Sequence, residues 1–149
     1  MPNIGAPRHE HSGEYFRKIF EAAARTDINR YNRVTAQLRG KTVQVIIEGA
    51  TDEQFYLVGD ANGMTKIMTQ DPGGKTQVFL RLPPGTIRNI LEGGETPVEA
   101  FFMGHLRAKG HTRDLNALHT FFLGMAEIAV AAPEILDILE AFDSAKQRL

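Results

Sequence analysis

Glu95 to Gly110, ETPVEAFFMGHLRAKG, compresses a helix start, an aromatic pair and a short strand into sixteen residues. Thr96 is placed to N-cap a helix. Pro97 suits the first helical position because its missing N–H would have no partner there, and Glu99 stands where a capping-box carboxylate belongs. Ala100, Phe101, Phe102 and Met103 form an apolar turn whose aromatic pair reads as buried, and Gly104 is able to end it. Leu106, Ala108 and Gly110 then alternate with His105, Arg107 and Lys109, as in a strand with one buried face. A helix therefore hands over to a strand at Gly104.

Working outward toward the N-terminus, the middle of the chain has period two. Val43, Val45 and Ile47 share one strand face, Phe55 and Leu57 share the next, and GDANG is a hairpin-type turn between that strand and a weaker one over Met64 to Thr69. DPGG marks another turn, and Val78, Leu80 and Leu82 supply a fourth strand. Before the strands, Tyr15, Phe16, Ile19, Phe20 and Ala23 recur at helical spacing after Ser12, a candidate N-cap. Past a break near Thr26 or Asp27, Ile28, Tyr31, Val34 and Leu38 do the same, with Gly40 as a stop. Ile87, Ile90 and Leu91 mark a short helix ending at Gly93 and Gly94. Toward the C-terminus, Leu115, Leu118, Phe121, Phe122, Met125 and Ile128 mark a long amphipathic helix that starts at Thr112, a candidate N-cap, and breaks at Ala132 and Pro133. A last helix carries Ile135, Ile138, Leu139 and Phe142. The order predicts an α+β fold, a five-stranded, predominantly antiparallel sheet covered on one face by helices.

Bulk properties narrow the function. A 149-residue chain with 42% hydrophobic residues fits one core, and 17 basic against 18 acidic residues leave no electrostatic footprint for nucleic acid and no polybasic anchor. The absence of cysteine removes disulfides and thiolate chemistry. The opening MPNIGAPRHEHSGE has no basic-then-apolar leader pattern, and no apolar run reaches membrane-spanning length, so the expectation is a soluble, cytoplasmic protein with no integral membrane segment. Ser12 and Ser144 are the only serines, leaving no nucleophile in a core element, so no catalytic residues are assigned. His105, His111 and His119 match no metal-ligand spacing, and His9 and His11 fall in a polar arm, so no metal and no cofactor is expected. DPGGK and EGGET lack the phosphate-loop pattern and read as turns.

Gly93 to Gly110, with its Gly-rich run, short helix around Ala100-Phe101-Phe102, glycine and edge strand ending in Gly110, resembles the sterol carrier protein 2 family, and the element order from Phe16 to Ile128 is similar to that fold. The family's second strand commonly carries a tryptophan where Phe55 and Tyr56 stand here. Ala108 is smaller than the usual fifth-strand aliphatic, and Gln147 departs from the family's peroxisomal C-terminal signal. The resemblance implies a non-enzymatic domain that binds a hydrophobic lipid in a tunnel lined by Phe55, Leu57, Val78, Leu80, Ile87, Ile90, Leu91, Phe101, Phe102, Leu118, Phe121, Phe122 and Met125. Patterning alone does not separate tunnel from core, because both use the same residue types. The implied organisation is a flexible arm over residues 1–11, a lipid-binding domain over 12–132 and a C-terminal helix over 133–149. The alternative is an accessory or oligomerisation subunit without a cavity, whose partner is a second copy or an enzyme of lipid or quinone metabolism.

Overall fold

The structure, a computed structural model, describes residues 11–147. Two helices, α1 (Ser12–Thr26) and α2 (Ile28–Thr35), lead through a 3-10 turn (Ala36–Leu38) to β1 (Thr42–Ile47), β2 (Glu53–Gly59), β3 (Thr65–Met68) and β4 (Val78–Leu82). Helices α3 (Pro84–Leu91) and α4 (Pro97–Phe102) precede β5 (Arg107–Gly110), and α5 (Thr112–Val130) and α6 (Pro133–Gln147) follow. The sheet order is β3-β2-β1-β4-β5. Only the central β1–β4 pair is parallel.

Strand alternation places the apolar residues in rows. Leu57, Val43 and Val78 are register partners, as are Phe55, Val45, Leu80 and Ala108, so each row crosses the sheet on the face that the helices cover. The opposite face carries Gln44, Gln54 and Arg81, and Arg81 binds Glu48 at 3.0 Å and Asp52 at 2.6 Å. Gly59 is required where β2 passes the 3-10 turn, since a Cβ there would lie 1.8 Å from the Leu38 carbonyl oxygen.

Aromatic packing fixes the helices at one end of the sheet. Phe16 of α1 meets Phe55 at 4.7 Å, and Phe142 of α6 meets Tyr15 at 5.3 Å, contacts that seat α6 against α1. Lys146 reinforces this by donating to Glu53, and Arg88 of α3 reaches Asp143 at 3.0 Å. Ser12 also donates to Glu53, at 2.7 Å.

Two helix starts differ from expectation. Ser12 is the first helical residue of α1 rather than its cap, because its hydroxyl is committed to Glu53. The cap is His11, whose Nδ1 accepts from the Gly13 N–H at 3.0 Å. His11 thus belongs to the fold and not to the arm, while residues 1–10, with His9, lie outside the described residues. His111 occupies the cap position of α5 and Thr112 is helical. Here Asp114 anchors the first turn, accepting from Lys41 at 2.7 Å.

Candidate functional site

The capping box at Thr96 and Glu99 forms in full, so α4 starts where its sequence places it. Its aromatic pair is nevertheless exposed, contrary to the sequence reading. A six-residue helix has room for one inward position, taken by Ala100, and the next two residues are carried round the helix toward solvent. Gly104, at φ +78°, then reverses the chain into β5, and Thr86 of α3 donates to the His105 carbonyl at 2.9 Å, tethering that turn. His105 faces outward and meets Glu95 at 2.9 Å.

Between α4, α5 and the end of the sheet lies a cavity of about 150 Å³. It exists because the row through Phe55, Val45 and Leu80 ends at Ala108, where one methyl group stands in place of a large side chain. Leu80, Leu82, Leu106 and Ala108 form its floor, and α3 adds Ile90. Pro97, Val98, Phe101 and Phe102 of α4 wall one side, and Leu115, Asn116, Leu118, His119 and Phe122 of α5 wall the other. Among the described residues, Asn116 and His119 are the polar members of this wall. The Nδ1 atom of His119 is buried and has no hydrogen-bond partner among the described residues. Among the described residues, no carboxylate, hydroxyl nucleophile or amine stands on the wall, and no group of three side chains is placed to ligate a metal. A wall of this composition suits an apolar molecule.

Six of the residues expected at a lipid site, Leu80, Ile90, Phe101, Phe102, Leu118 and Phe122, line this cavity. Phe55, Leu57, Val78, Ile87, Leu91, Phe121 and Met125 lie off its wall and are at most 3% exposed, as packed core. Phe121, for example, turns from the cavity to meet Phe20 at 5.7 Å. Sequence reasoning missed Leu82, Pro97, Val98, Leu106, Ala108, Leu115, Asn116 and His119 as wall residues. A signal for part of this set was present, since Leu115, Leu118, His119 and Phe122 fall at i, i+3, i+4 and i+7.

A second, larger depression of about 550 Å³ lies between α1, α2 and β3. Its wall mixes Phe20, Tyr31 and Ile67 with Arg17, Glu21, Asn32 and Lys66, and it opens more widely to solvent. On the smaller cavity three helices and the sheet converge, and among the described residues no charged side chain lines it.

The family model of the SCP-2 sterol transfer family matches residues 20–122. The chain belongs to the SCP-2 sterol transfer family. Every cavity residue falls within the matched range, and α6 lies beyond it. Lipid binding and transport is the general role of the family. Among solved structures, the sterol carrier protein domain 2 of Helicoverpa armigera superposes with a TM-score of 0.61 at 17% identity, over 85% of this chain and 96% of that one. A UbiJ-SCP2 ubiquinone synthesis protein gives a TM-score of 0.56 at 14% identity, over 77% and 87%. Sterol carrier protein 2 from Yarrowia lipolytica in its apo form gives 0.52 at 16% identity, over 78% and 88%. At these identities the likeness is one of fold. Among curated proteins, no sequence matches.

Proposed function

We propose that the chain is a non-catalytic cytoplasmic carrier of a hydrophobic lipid, of fatty acyl, isoprenoid or sterol-like type, and that the cavity between β5, α4 and α5 is its binding site. The observation that carries this reading is the nearly unbroken apolar wall, built from Leu80, Ile90, Phe101, Phe102, Leu118 and Phe122 together with Leu115 and Ala108. Membership of a sterol transfer family supports it. Each methylene buried contributes about 0.8 kcal/mol, so a sixteen-carbon chain supplies roughly 12 kcal/mol before association costs, and a charged anchor is unnecessary. The volume adds a condition. Ligand pockets commonly hold about 300–1,000 Å³, and an apolar void near 150 Å³ accepts something of benzene's size. A long-chain cargo therefore enters by displacing α4, the short element at the mouth. Residues 12–132 form the carrier unit in this reading, and α6 extends it by sealing the end near α1.

The test is to purify the protein natively, extract it into organic solvent for mass spectrometry, and titrate it with a fluorescent acyl probe. A co-extracted lipid and saturable probe binding are expected. Neither lipid nor saturation would overturn the reading.

A second reading, an accessory subunit for an enzyme of lipid or quinone metabolism, draws on the fold shared with a ubiquinone synthesis protein and on exposed Val130 and Leu136 near the α5–α6 junction. Light scattering separates the two readings, since a stable oligomer that binds no probe favours the second.

A further inference from the structure

Among the described residues, the Nδ1 atom of His119 is the buried side-chain nitrogen or oxygen that the fold leaves without a partner. Other histidine rings are engaged: His11 accepts from the Gly13 N–H at 3.0 Å, and His105 meets Glu95 at 2.9 Å. Buried polar groups are nearly always hydrogen-bonded, so an exception calls for a reason. Packing gives none, because Leu115, Leu118 and Phe122 show what α5 otherwise presents to the cavity, and a phenyl ring at position 119 would fill the place with no unpaired nitrogen. Asn116 stands one helical turn before His119, so the two polar wall residues share a side of α5. Asn116 is exposed, which puts it at the opening, whereas His119 is half-buried behind it. An imidazole ring and a carboxamide each offer a donor and an acceptor. No lysine or arginine among the described residues lines the cavity to meet a carboxylate or phosphate, and burying an anion without a cation is costly. A hydroxyl group, which donates and accepts at once, fits the ring in either tautomer.

We propose that His119 and Asn116 form a polar recognition point inside the cavity, and that the preferred cargo is an apolar molecule bearing a hydroxyl group that pairs with the His119 ring. The inference rests on the carrier reading and narrows its cargo to alcohols. With α4 in place Nδ1 is sealed from solvent. Because α4 forms the wall opposite α5, the displacement of α4 that admits a long cargo also frees the ring to turn toward it. A fatty acid lacks this match and enters tail first, with its carboxylate left in water at the mouth.

Toluene, benzyl alcohol and benzoate share one ring and end in a methyl, a hydroxymethyl or a carboxylate group, and their size suits a void of about 150 Å³. Each is titrated into the native protein, His119→Phe and His119→Gln, with affinity read from backbone amide shifts in NMR. The ratio of benzyl alcohol to toluene affinity is expected to fall by about threefold to tenfold in His119→Phe, the net worth of one hydrogen bond. It is expected to be kept in His119→Gln, whose amide again donates and accepts. In the native protein the ring nitrogens of His119 are expected to shift with benzyl alcohol and not with toluene, a readout that stands even where a variant fails to fold. An unchanged ratio in folded His119→Phe would overturn the inference. So would ring nitrogens that ignore benzyl alcohol at saturation, or benzoate binding more tightly than benzyl alcohol. Saturable binding of the acyl probe alongside any of these results keeps the carrier function and removes the hydroxyl preference alone. Failure of the probe and of all three small ligands to bind would overturn both.

Discussion

Ala108 carries more of this account than any other single side chain. The strand alternation around it was legible in the sequence, but the consequence of its size depends on Leu80 being its register partner, which is a fact of sheet pairing and not of local pattern. Ala108→Leu is expected to fill part of the cavity, weaken acyl-probe binding at least about tenfold and change stability by no more than about 1.5 kcal/mol, because it adds apolar volume to an apolar void. Probe titration and urea denaturation of the same sample check both parts. Phe101 and Phe102 were misread as buried because residue type does not distinguish an aromatic in a core from one at a rim. Glu53 gives a pH prediction. Burial opposes its ionisation, but hydrogen bonds from Lys146 and Ser12 outweigh that and hold its carboxyl below the ordinary value. A hydrogen bond from Lys41 holds Asp114 low in the same way, against the opposing effect of burial. Groups with depressed folded-state pKa values stabilise the protein above their unfolded values, near 4, and that stability is lost as pH falls through the folded values. Denaturant midpoints are expected to hold near neutrality and drop below about pH 4, with Glu53→Gln less stable at pH 7 and less sensitive to acid.

At the scale of elements, α4 and α6 make opposite demands. Apart from Ala100, α4 places no side chain in the buried core, and its start is held by the Thr96–Glu99 capping box. Thr96→Ala is expected to cost about 1 kcal/mol locally, visible as faster amide exchange in α4 and faster probe entry with little change in global unfolding. The α6 helix buries Ile135, Leu139 and Phe142 completely. Phe142→Ala is expected to destabilise the whole protein by about 3–5 kcal/mol in urea denaturation, since the cavity it leaves faces Tyr15 and Phe16. Element existence was readable from periodicity throughout. The starts of α1 and α5 were not, because Ser12 and Asp114 answer to Glu53 and Lys41, partners distant in sequence that no local cap rule contains.

For the molecule as a whole, the inner face of the sheet leaves an apolar gap at its β5 edge, and three helices surround it without filling it. The fold class follows from alternation and helical stripes that agree with one another along the chain. The location of the cavity does not, because seven of the thirteen residues chosen from sequence pack into the core on other sides of the same helices and strands. The most direct test is a crystal structure of the protein soaked with, or grown in, a long-chain fatty acid brominated near its terminal carbon. Anomalous signal beside Leu80, Ala108 and Phe122, with the acyl chain running out past α4, is the predicted result. Signal in the depression between α1, α2 and β3 would contradict the account, as would no ordered ligand at saturating concentration.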